Sequence, residues 1–375
     1  MNLVLAPQNY IQERGLIHKV GKLLKDYGKR PLLVADSFVT EIVKNVINKQ
    51  LEKLRLSLTA FTFGGECCEE EIGRVMDTVK KNGNDLIVGC GGGKAIDTAK
   101  AAAFYKGLPF VSLPTSAATC AAWSSSYPLY SMSGSYLGTR ELGKTPDLVL
   151  VDTEVIARAP SRLLSSGMGD SLAKWYEGKT VFHLLKKDLL VDLALNLSGY
   201  LYRVIKRFGP GAKIDVDKNI CSMEVDSIVQ ANILIAGLIG RLGGKNFRSA
   251  AAHAFNYALC GIPKAARTLH GERVAIGILI QFILEGRKEK ELTEILQFYR
   301  KIGLPCSMEE LGVYFTMDEL KEVSARVCGD SRIRNLPFSV DEDMFQNAFL
   351  ELNNFVKKFT SEENLYDTIG ASKKG

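Results

Sequence analysis

Histidine is scarce in this chain of 375 residues, which contains only four. Prolines number 11 and tryptophans two, and no segment has the low-complexity composition that is typical of disorder. The eight cysteines are scattered, with no Cys-x-x-Cys pair, which excludes a zinc-finger pattern and a disulfide framework. We therefore expect a globular protein of a reducing compartment, the cytoplasm.

The chain also lacks a dense block of one charge and a long apolar segment. Its net charge is only +6, and its lysines and arginines are mixed with acidic residues, so a nucleic-acid-binding face is not expected. The first residues show no basic segment followed by an apolar run, as a signal peptide would. The most apolar run, 227–240, contains Gln230 and Asn232 and is shorter than the roughly 20 residues that cross a bilayer. We predict a buried helix there and no membrane partner.

The length of the chain favours two domains. In residues 1–160, short apolar runs such as 30–36 and 85–93 alternate with amphipathic stretches, which predicts an α/β domain with a parallel sheet covered on both faces. A Ser-Gly pair within 129–138 predicts a hairpin inserted into this domain. Residues 161–375 show helical periodicity, so an all-α second domain is expected. In this architecture a ligand binds at the carboxyl ends of the strands, in the cleft that faces the second domain.

Three consecutive glycines, 91–93, stand between an apolar strand and a predicted helix. Glycines let a backbone approach a phosphate closely, and a helix N-terminus offers free N–H groups to an anion. Lys94 stands where the Rossmann fingerprint needs its third glycine, and Val88 and Ala95 break the Walker pattern. The residues therefore favour a phosphate site of another type, with a plain tight turn as the alternative.

Asp36 ends an earlier strand at the same expected edge of the sheet. A carboxylate at this place can bind ribose hydroxyls, which favours NAD over NADP, although Asp36 could equally be a helix N-cap. The next strand is followed by Thr115, Ser116 and Thr119, whose small hydroxyls could contact a cofactor.

The histidines His253 and His270 lie close together in the sequence, and Asp170 lies near the start of another predicted helix. One carboxylate and two imidazoles are three ligands for a divalent ion, which leaves a position open for substrate, as catalytic metals require. The alternatives are a core histidine at 253 and an N-cap acid at 170.

Several motifs, in order and spacing, resemble the glycerol dehydrogenase branch of the metal-dependent (iron/zinc) alcohol dehydrogenase superfamily. They are “GGGKAIDTAK”, “LPTSAAT”, “SSGMGDSLAKWYE”, “AAAHAFNYAL” and “LHGERVAIG”. The resemblance implies a dehydroquinate synthase-like architecture, with a Rossmann-like nucleotide-binding domain over 1–160 and a helical metal-binding domain over 161–375. It also implies hydride transfer between a carbinol carbon and a nicotinamide, and it suggests a homo-oligomer.

At matching positions the resemblance implies that Asp170, His253 and His270 are the catalytic metal ligands. It places Asp36 at the adenosine ribose. The remaining cofactor contacts that we predict, including the three glycines of the turn, are Gly91, Gly92, Gly93, Lys94, Ala95, Ile96, Asp97, Thr115, Ser116, Ala117, Ala118, Ser124, Ser126 and Tyr130.

The identity of the metal follows from one departure. Iron-type relatives carry a fourth ligand, a histidine, four residues after the aspartate, and this chain has Lys174 there. The site therefore resembles the zinc type, while iron and manganese remain open. NAD is the expected cofactor, with NADP as the alternative.

The substrate is a small molecule whose identity the sequence leaves open. Glycerol dehydrogenases carry an aspartate at the position of Cys120, and Trp123 adds bulk nearby. Lys174 lies one helical turn from Asp170 and could bind a substrate carboxylate, unless it faces solvent. We therefore keep a polyol dehydrogenase and a hydroxycarboxylate dehydrogenase acting on 2-oxo acids as hypotheses. Glycerol-1-phosphate dehydrogenase, a dehydroquinate-synthase-like lyase and a non-catalytic nucleotide-binding protein are the further alternatives.

Overall fold

The structure is a computed structural model that describes residues 6–185, 188–247 and 249–372. Strands and helices alternate in the first part of the chain. The elements there are β1 (Asn9–Glu13), α1 (Val20–Leu24), β2 (Pro31–Ala35), α2 (Ser37–Lys53), β3 (Thr59–Thr62), α3 (Glu69–Asn82), β4 (Leu86–Gly91), α4 (Gly93–Lys106), β5 (Phe110–Pro114), β6 (Ser126–Tyr130), β7 (Tyr136–Glu141) and β8 (Leu148–Asp152).

Six of these strands form one parallel sheet in the order β1-β8-β5-β4-β2-β3. The central strands are buried on both faces, so alternate residues point into different cores. Leu33 and Val88 pack with the α2 side chains Val43 and Ile47, whereas Leu32 belongs to the cluster on the opposite face. The predicted Rossmann-like parallel sheet, covered on both sides, is confirmed.

The predicted hairpin is formed by β6 and β7, which pair antiparallel as a separate two-stranded sheet. It reaches the helical part of the molecule. The Tyr136 ring stacks on Tyr257 with 3.9 Å between ring centroids, and the Tyr136 hydroxyl accepts a hydrogen bond from Arg332 at 2.7 Å.

Among the described residues, every regular element after Asp152 is helical. The elements are α5 (Thr153–Ala157), α6 (Ser161–Val181), α7 (Leu189–Asp217), α8 (Met223–Gln230), a π-helical turn (Ala231–Ile235), α9 (Ala236–Leu242), α10 (Gly244–Phe247), α11 (Ala251–Ala258), α12 (His270–Leu284), α13 (Glu289–Ile302), α14 (Met317–Gly329) and α15 (Glu342–Ser372). The division at 160 stays a prediction, because one continuous hydrophobic cluster contains residues of both parts, from Leu32 to Phe359.

The apolar run around 227–240 is longer as a helix than the sequence predicted. α8, the π-helical turn and α9 form one stretch of 20 residues, Met223–Leu242, which by length and composition could cross a membrane. The expectation that this run is too short is therefore wrong. Of its most apolar window, 61% is buried inside the protein, as in the core helix that we predicted.

Candidate active site

A cleft of about 1230 Å³ lies between the carboxyl ends of the strands and the helical part. The ends of β2, β4 and β5 and the β6–β7 hairpin line one side. Residues of α6, α11 and α12 line the other. This is the position at which parallel α/β sheets bind ligands.

Asp170, His253 and His270 meet in this cleft, on α6, α11 and the first residue of α12. Their ligand atoms all lie within 4.8 Å of one another. The Asp170 Oδ1 atom is 3.4 Å from the Nε2 atom of each histidine. Asp170 lies in the middle of α6, which begins at Ser161, so it is not the N-cap that the sequence left as an alternative.

Glu177 is a further residue of this group that the sequence analysis did not identify. It is fully buried, and its carboxylate contacts the His253 Nδ1 atom. It also accepts hydrogen bonds from the backbone N–H groups of Ala250, at 2.5 Å, and His253, at 3.1 Å. These bonds fix the imidazole orientation and direct Nε2 towards Asp170. The spacing was the available signal, because residues 170, 174 and 177 share one face of a helix.

The charges of the three ligands are set by burial and by their neighbours. Burial disfavours the Asp170 carboxylate, but the Lys174 ammonium and hydrogen bonds with both histidines hold the pKa of Asp170 well below its usual range. Burial also opposes protonation of His253, yet the Glu177 charge and the contact with Asp170 raise the pKa of His253 above its usual value. Burial lowers the pKa of His270, and Asp170 offsets this only in part.

Lys174 is buried and belongs to the same group. Its side chain is 4% exposed, and its Nζ atom lies 3.2 Å from Asp170 Oδ1. It therefore does not face solvent. A buried ammonium therefore stands one helical turn from the aspartate.

Glycines bring the backbones of α6 and α12 into direct contact. A Cβ atom added to Gly271 would lie 1.7 Å from the Ser166 carbonyl oxygen, and one added to Gly169 would lie 2.4 Å from the Gly271 carbonyl oxygen. No larger residue fits at either position without displacing a helix. The helices that carry Asp170 and His270 are thus held together at backbone distance.

The glycine turn connects β4 to α4 at the other end of the cleft. Gly91 has a φ of 134°, which is unfavourable for residues with a Cβ atom. Gly92 is the N-cap of α4 and Gly93 is its first residue, and both line the cleft. The free N–H groups at the start of this helix therefore lie at the cleft. Lys94 pairs with Glu66 at 2.5 Å.

Asp36 has one of the two roles that the sequence left open, the helix N-cap, and its ribose contact stays a prediction. Its Oδ1 atom accepts a hydrogen bond from the Val39 backbone N–H at 2.8 Å and caps α2. Its Oδ2 atom lies 3.9 Å from the point where Gly91 would carry a Cβ atom. The second oxygen is therefore directed towards the glycine turn.

Most of the predicted cofactor contacts line the cleft, whereas Gly91, Ile96, Thr115 and Ala117 are not among its lining residues. The residues that line it are Asp36, Gly92, Gly93, Lys94, Ala95, Asp97, Ser116, Ala118, Ser124, Ser126 and Tyr130. Asp97 forms a buried ion pair with Lys100 at 2.6 Å, and burial, opposed by Lys100, raises the pKa of Asp97 to about 6.

Of the predicted substrate contacts, Cys120 and Lys174 line the cleft and Trp123 does not. Trp123 is buried against α9, where a Cβ atom added to Gly237 would lie 2.4 Å from the indole. Its ring also packs against Tyr10, with 5.9 Å between centroids. The Trp123 side chain thus fills a space between the sheet and the helices, and its contact with the substrate stays a prediction.

Residues 7–153 match the profile of the family described as iron-containing alcohol dehydrogenase. The chain is 32% identical over 353 residues to a glycerol dehydrogenase from Pseudomonas putida, an alignment that covers 92% of this chain and 96% of the relative. It is 35% identical over 350 residues to a glycerol dehydrogenase from Thermotoga maritima, covering 91% and 94% of the two chains.

Two further similarities bear on the predictions. The crystal structure of a glycerol dehydrogenase from Schizosaccharomyces pombe superposes with a TM-score of 0.87 at 27% identity, covering 97% of this chain and 93% of that one. The chain is also 30% identical over 374 residues to a hydroxycarboxylate dehydrogenase from Escherichia coli, covering 95% and 98%.

The predicted resemblance is therefore confirmed. The relatives are at least 30% identical to the chain over more than nine-tenths of its length. The chain belongs to the iron-containing alcohol dehydrogenase family and is an oxidoreductase that acts on CH–OH donors.

Proposed function

We propose that this chain is an NAD-linked, metal-dependent dehydrogenase of small polyols, with glycerol as its first candidate substrate. The single observation that carries this proposal is the meeting of Asp170, His253 and His270 in the cleft that also contains the glycine turn. The relatives named glycerol dehydrogenase support the same substrate class. The lyase and the non-catalytic alternatives have no comparable support.

The three side chains fit a catalytic divalent ion. A carboxylate with a depressed pKa and two imidazoles offer three ligand atoms, and a catalytic zinc site keeps a further position for substrate. A divalent ion held here would supply Lewis acidity, which lowers the pKa of a bound alcohol. We infer zinc, because Lys174 stands where the fourth ligand of the iron type would be.

The residues of the chain prepare this site in three ways. Glu177 binds the Nδ1 side of the His253 ring, so that Nε2 is the atom presented to the ion. Burial keeps His270 neutral at neutral pH, which leaves its Nε2 lone pair available. Asp170 stays anionic and balances the charge of the ion.

We propose that NAD lies along the cleft, with its pyrophosphate at the N-terminus of α4 and its adenosine ribose at Asp36. The free N–H groups and positive dipole end of α4 favour an anion at that place. The Asp36 Oδ2 atom would accept hydrogen bonds from ribose hydroxyls and repel a 2′-phosphate, which favours NAD over NADP.

The test is the oxidation of glycerol and 1,2-propanediol with NAD and with NADP, before and after metal removal and after zinc, iron or manganese is restored. We expect activity with NAD that is lost on chelation and returns with zinc. The matched variant is His253→Ala, which should abolish metal binding and turnover but bind NADH normally. Full activity in this variant would refute the proposal.

A second candidate function rests on Lys174. A buried ammonium in the substrate region could bind the carboxylate of a 2-hydroxy or 2-oxo acid by a charge-assisted hydrogen bond. Cys120, which replaces an acidic residue, would not repel that carboxylate. The relative named hydroxycarboxylate dehydrogenase supports this candidate.

Reduction of 2-oxobutyrate and 2-oxoglutarate by wild type and by Lys174→Met separates the two candidates. If the substrate is an oxo acid, the variant should lose most of this activity while any activity on glycerol remains. A clear preference of wild type for glycerol would refute the second candidate. The cytoplasmic location and a homo-oligomeric assembly stay predictions, and gel filtration with light scattering tests the latter.

A further inference from the structure

A π-helical turn interrupts the buried helical stretch Met223–Leu242. It spans Ala231–Ile235, between α8 and α9. In an α-helix, residues five positions apart point about 140° away from each other. In a turn with i→i+5 hydrogen bonds they lie on nearly the same side, and such turns are frequent at functional sites. The turn therefore brings Asn232 and Gly237 to one side of the helical stretch.

Asn232 connects the two walls of the cleft. It is 1% exposed, and its amide N–H groups donate to the carbonyl oxygens of Ala117, at 3.0 Å, and Leu164, at 3.4 Å. Its Oδ1 atom accepts a hydrogen bond from the Ser171 hydroxyl at 2.9 Å. Ala117 belongs to the loop after β5, whereas Leu164 and Ser171 belong to α6.

Both ends of this connection are next to residues of the site. Ser116 and Ala118, on either side of Ala117, line the cleft. Ser171 follows Asp170 directly in α6. One side chain is thus bonded to the neighbour of a predicted metal ligand and to the centre of a predicted cofactor-binding loop.

Gly237 gives the same loop a second attachment. A Cβ atom on Gly237 would lie 2.4 Å from the indole of Trp123, so the glycine allows the Trp123 side chain to approach α9 closely. Ala117 and Trp123 flank the cleft-lining segment 118–121. The loop therefore contacts the helical stretch Met223–Leu242 on both sides of the cleft-lining segment 118–121.

We propose that Asn232 is a positioning residue, which sets the distance between the cofactor-binding loop and the metal-bearing helix α6. This proposal rests on the proposed function, because it takes the loop to bind NAD and Asp170 to bind the metal. Hydride transfer needs donor and acceptor carbons in a narrow range of distance and orientation. A misplacement of about 1 Å can cost on the order of 10²-fold in rate.

The test variant is Asn232→Leu, which keeps the size of the side chain and removes all three hydrogen bonds. We expect kcat to fall on the order of 10²-fold and the Kd for NADH, measured by fluorescence without substrate, to rise several-fold. The content of bound metal should stay at the wild-type value, since no ligand is changed.

Asn84→Leu is the matched control. Asn84 is also buried, and its amide donates to the Arg30 carbonyl oxygen at 3.0 Å, at the end of the sheet away from the cleft. It should lower the melting temperature and leave kcat and NADH binding unchanged. If Asn232→Leu likewise changes only the melting temperature, the inference is overturned.

Ser171→Ala provides a milder variant in case Asn232→Leu does not fold. It removes one hydrogen bond to Asn232, and kcat should fall about threefold to tenfold, as expected for the loss of one bond. Wild-type kcat and NADH binding in Ser171→Ala would also overturn the inference. A failure of the proposed function gives a different result, because wild type itself would then not bind NADH.

Discussion

Replacing Glu177 by glutamine should weaken metal binding although Glu177 touches no metal. One oxygen of Glu177 accepts the backbone N–H groups of Ala250 and His253, and the other contacts His253 Nδ1. A glutamine can keep its oxygen on the two backbone groups only by turning its NH₂ group towards Nδ1. The imidazole then either loses its hydrogen bond or moves its proton to Nε2, the atom that faces Asp170.

Either change should cost about 10- to 100-fold in metal affinity, the range typical of such supporting residues. That factor corresponds to about 1.4 to 2.7 kcal/mol of binding free energy. Competition for zinc with a chromophoric chelator measures it directly. Glu71→Gln is the control, since Glu71 is also a buried carboxylate that accepts a backbone N–H group, from Gly64. Equal zinc affinities of Glu177→Gln and wild type would refute the assigned role.

Three further predictions follow from the charges of the cleft. At pH 6.5, metal binding should release a proton from His253, because its pKa is raised above 6.5, and little from His270, because its pKa is lowered. The metal affinity should therefore rise with pH. Calorimetry in buffers of different ionisation enthalpy counts the released protons, and a count near zero would contradict this prediction. Asp36→Ser keeps a helix cap but removes the carboxylate, so kcat/KM for NAD should fall about 10-fold or more, as for the loss of a charged hydrogen bond, while kcat/KM for NADP should rise. An unchanged ratio of the two kcat/KM values would argue against ribose binding by Asp36. Lys100→Met leaves Asp97 buried without its cation and should lower the free energy of unfolding, measured in urea, by about 3 to 5 kcal/mol. Adding Asp97→Asn should restore part of this free energy. An unchanged free energy of unfolding in Lys100→Met would show that the ion pair is dispensable.

The metal group could be predicted because its chemistry is carried by rare residue types. Two of the four histidines and one acid were enough to suggest three ligands, and the motifs around them added the family. Glu177 could not be predicted from its spacing to Asp170 alone. Glutamates on helices are mostly exposed, so a buried one is not expected until its partner on another helix is known.

The features that the sequence did not predict have a common cause, which is that contacts between distant segments leave no local signal. The packing of Trp123 against α9 is an example, because it requires Gly237, more than 100 residues away. The length of the helix around 227–240 was underestimated because its polar residues looked like interruptions. The polar side chain of Asn232 is accounted for by its hydrogen bond to the Ala117 carbonyl oxygen, in the loop after β5.

The glycine contacts between α6 and α12 make the backbone geometry of the metal group independent of the residues that face the substrate. Because these helices meet backbone to backbone, the spacing of Asp170 and His270 does not depend on how neighbouring side chains pack. Cys120, by contrast, lines the cleft from the loop after β5. A substitution at Cys120 therefore changes the cleft wall without altering a residue of the metal group, whereas one at Lys174 also removes the cation that lies 3.2 Å from Asp170.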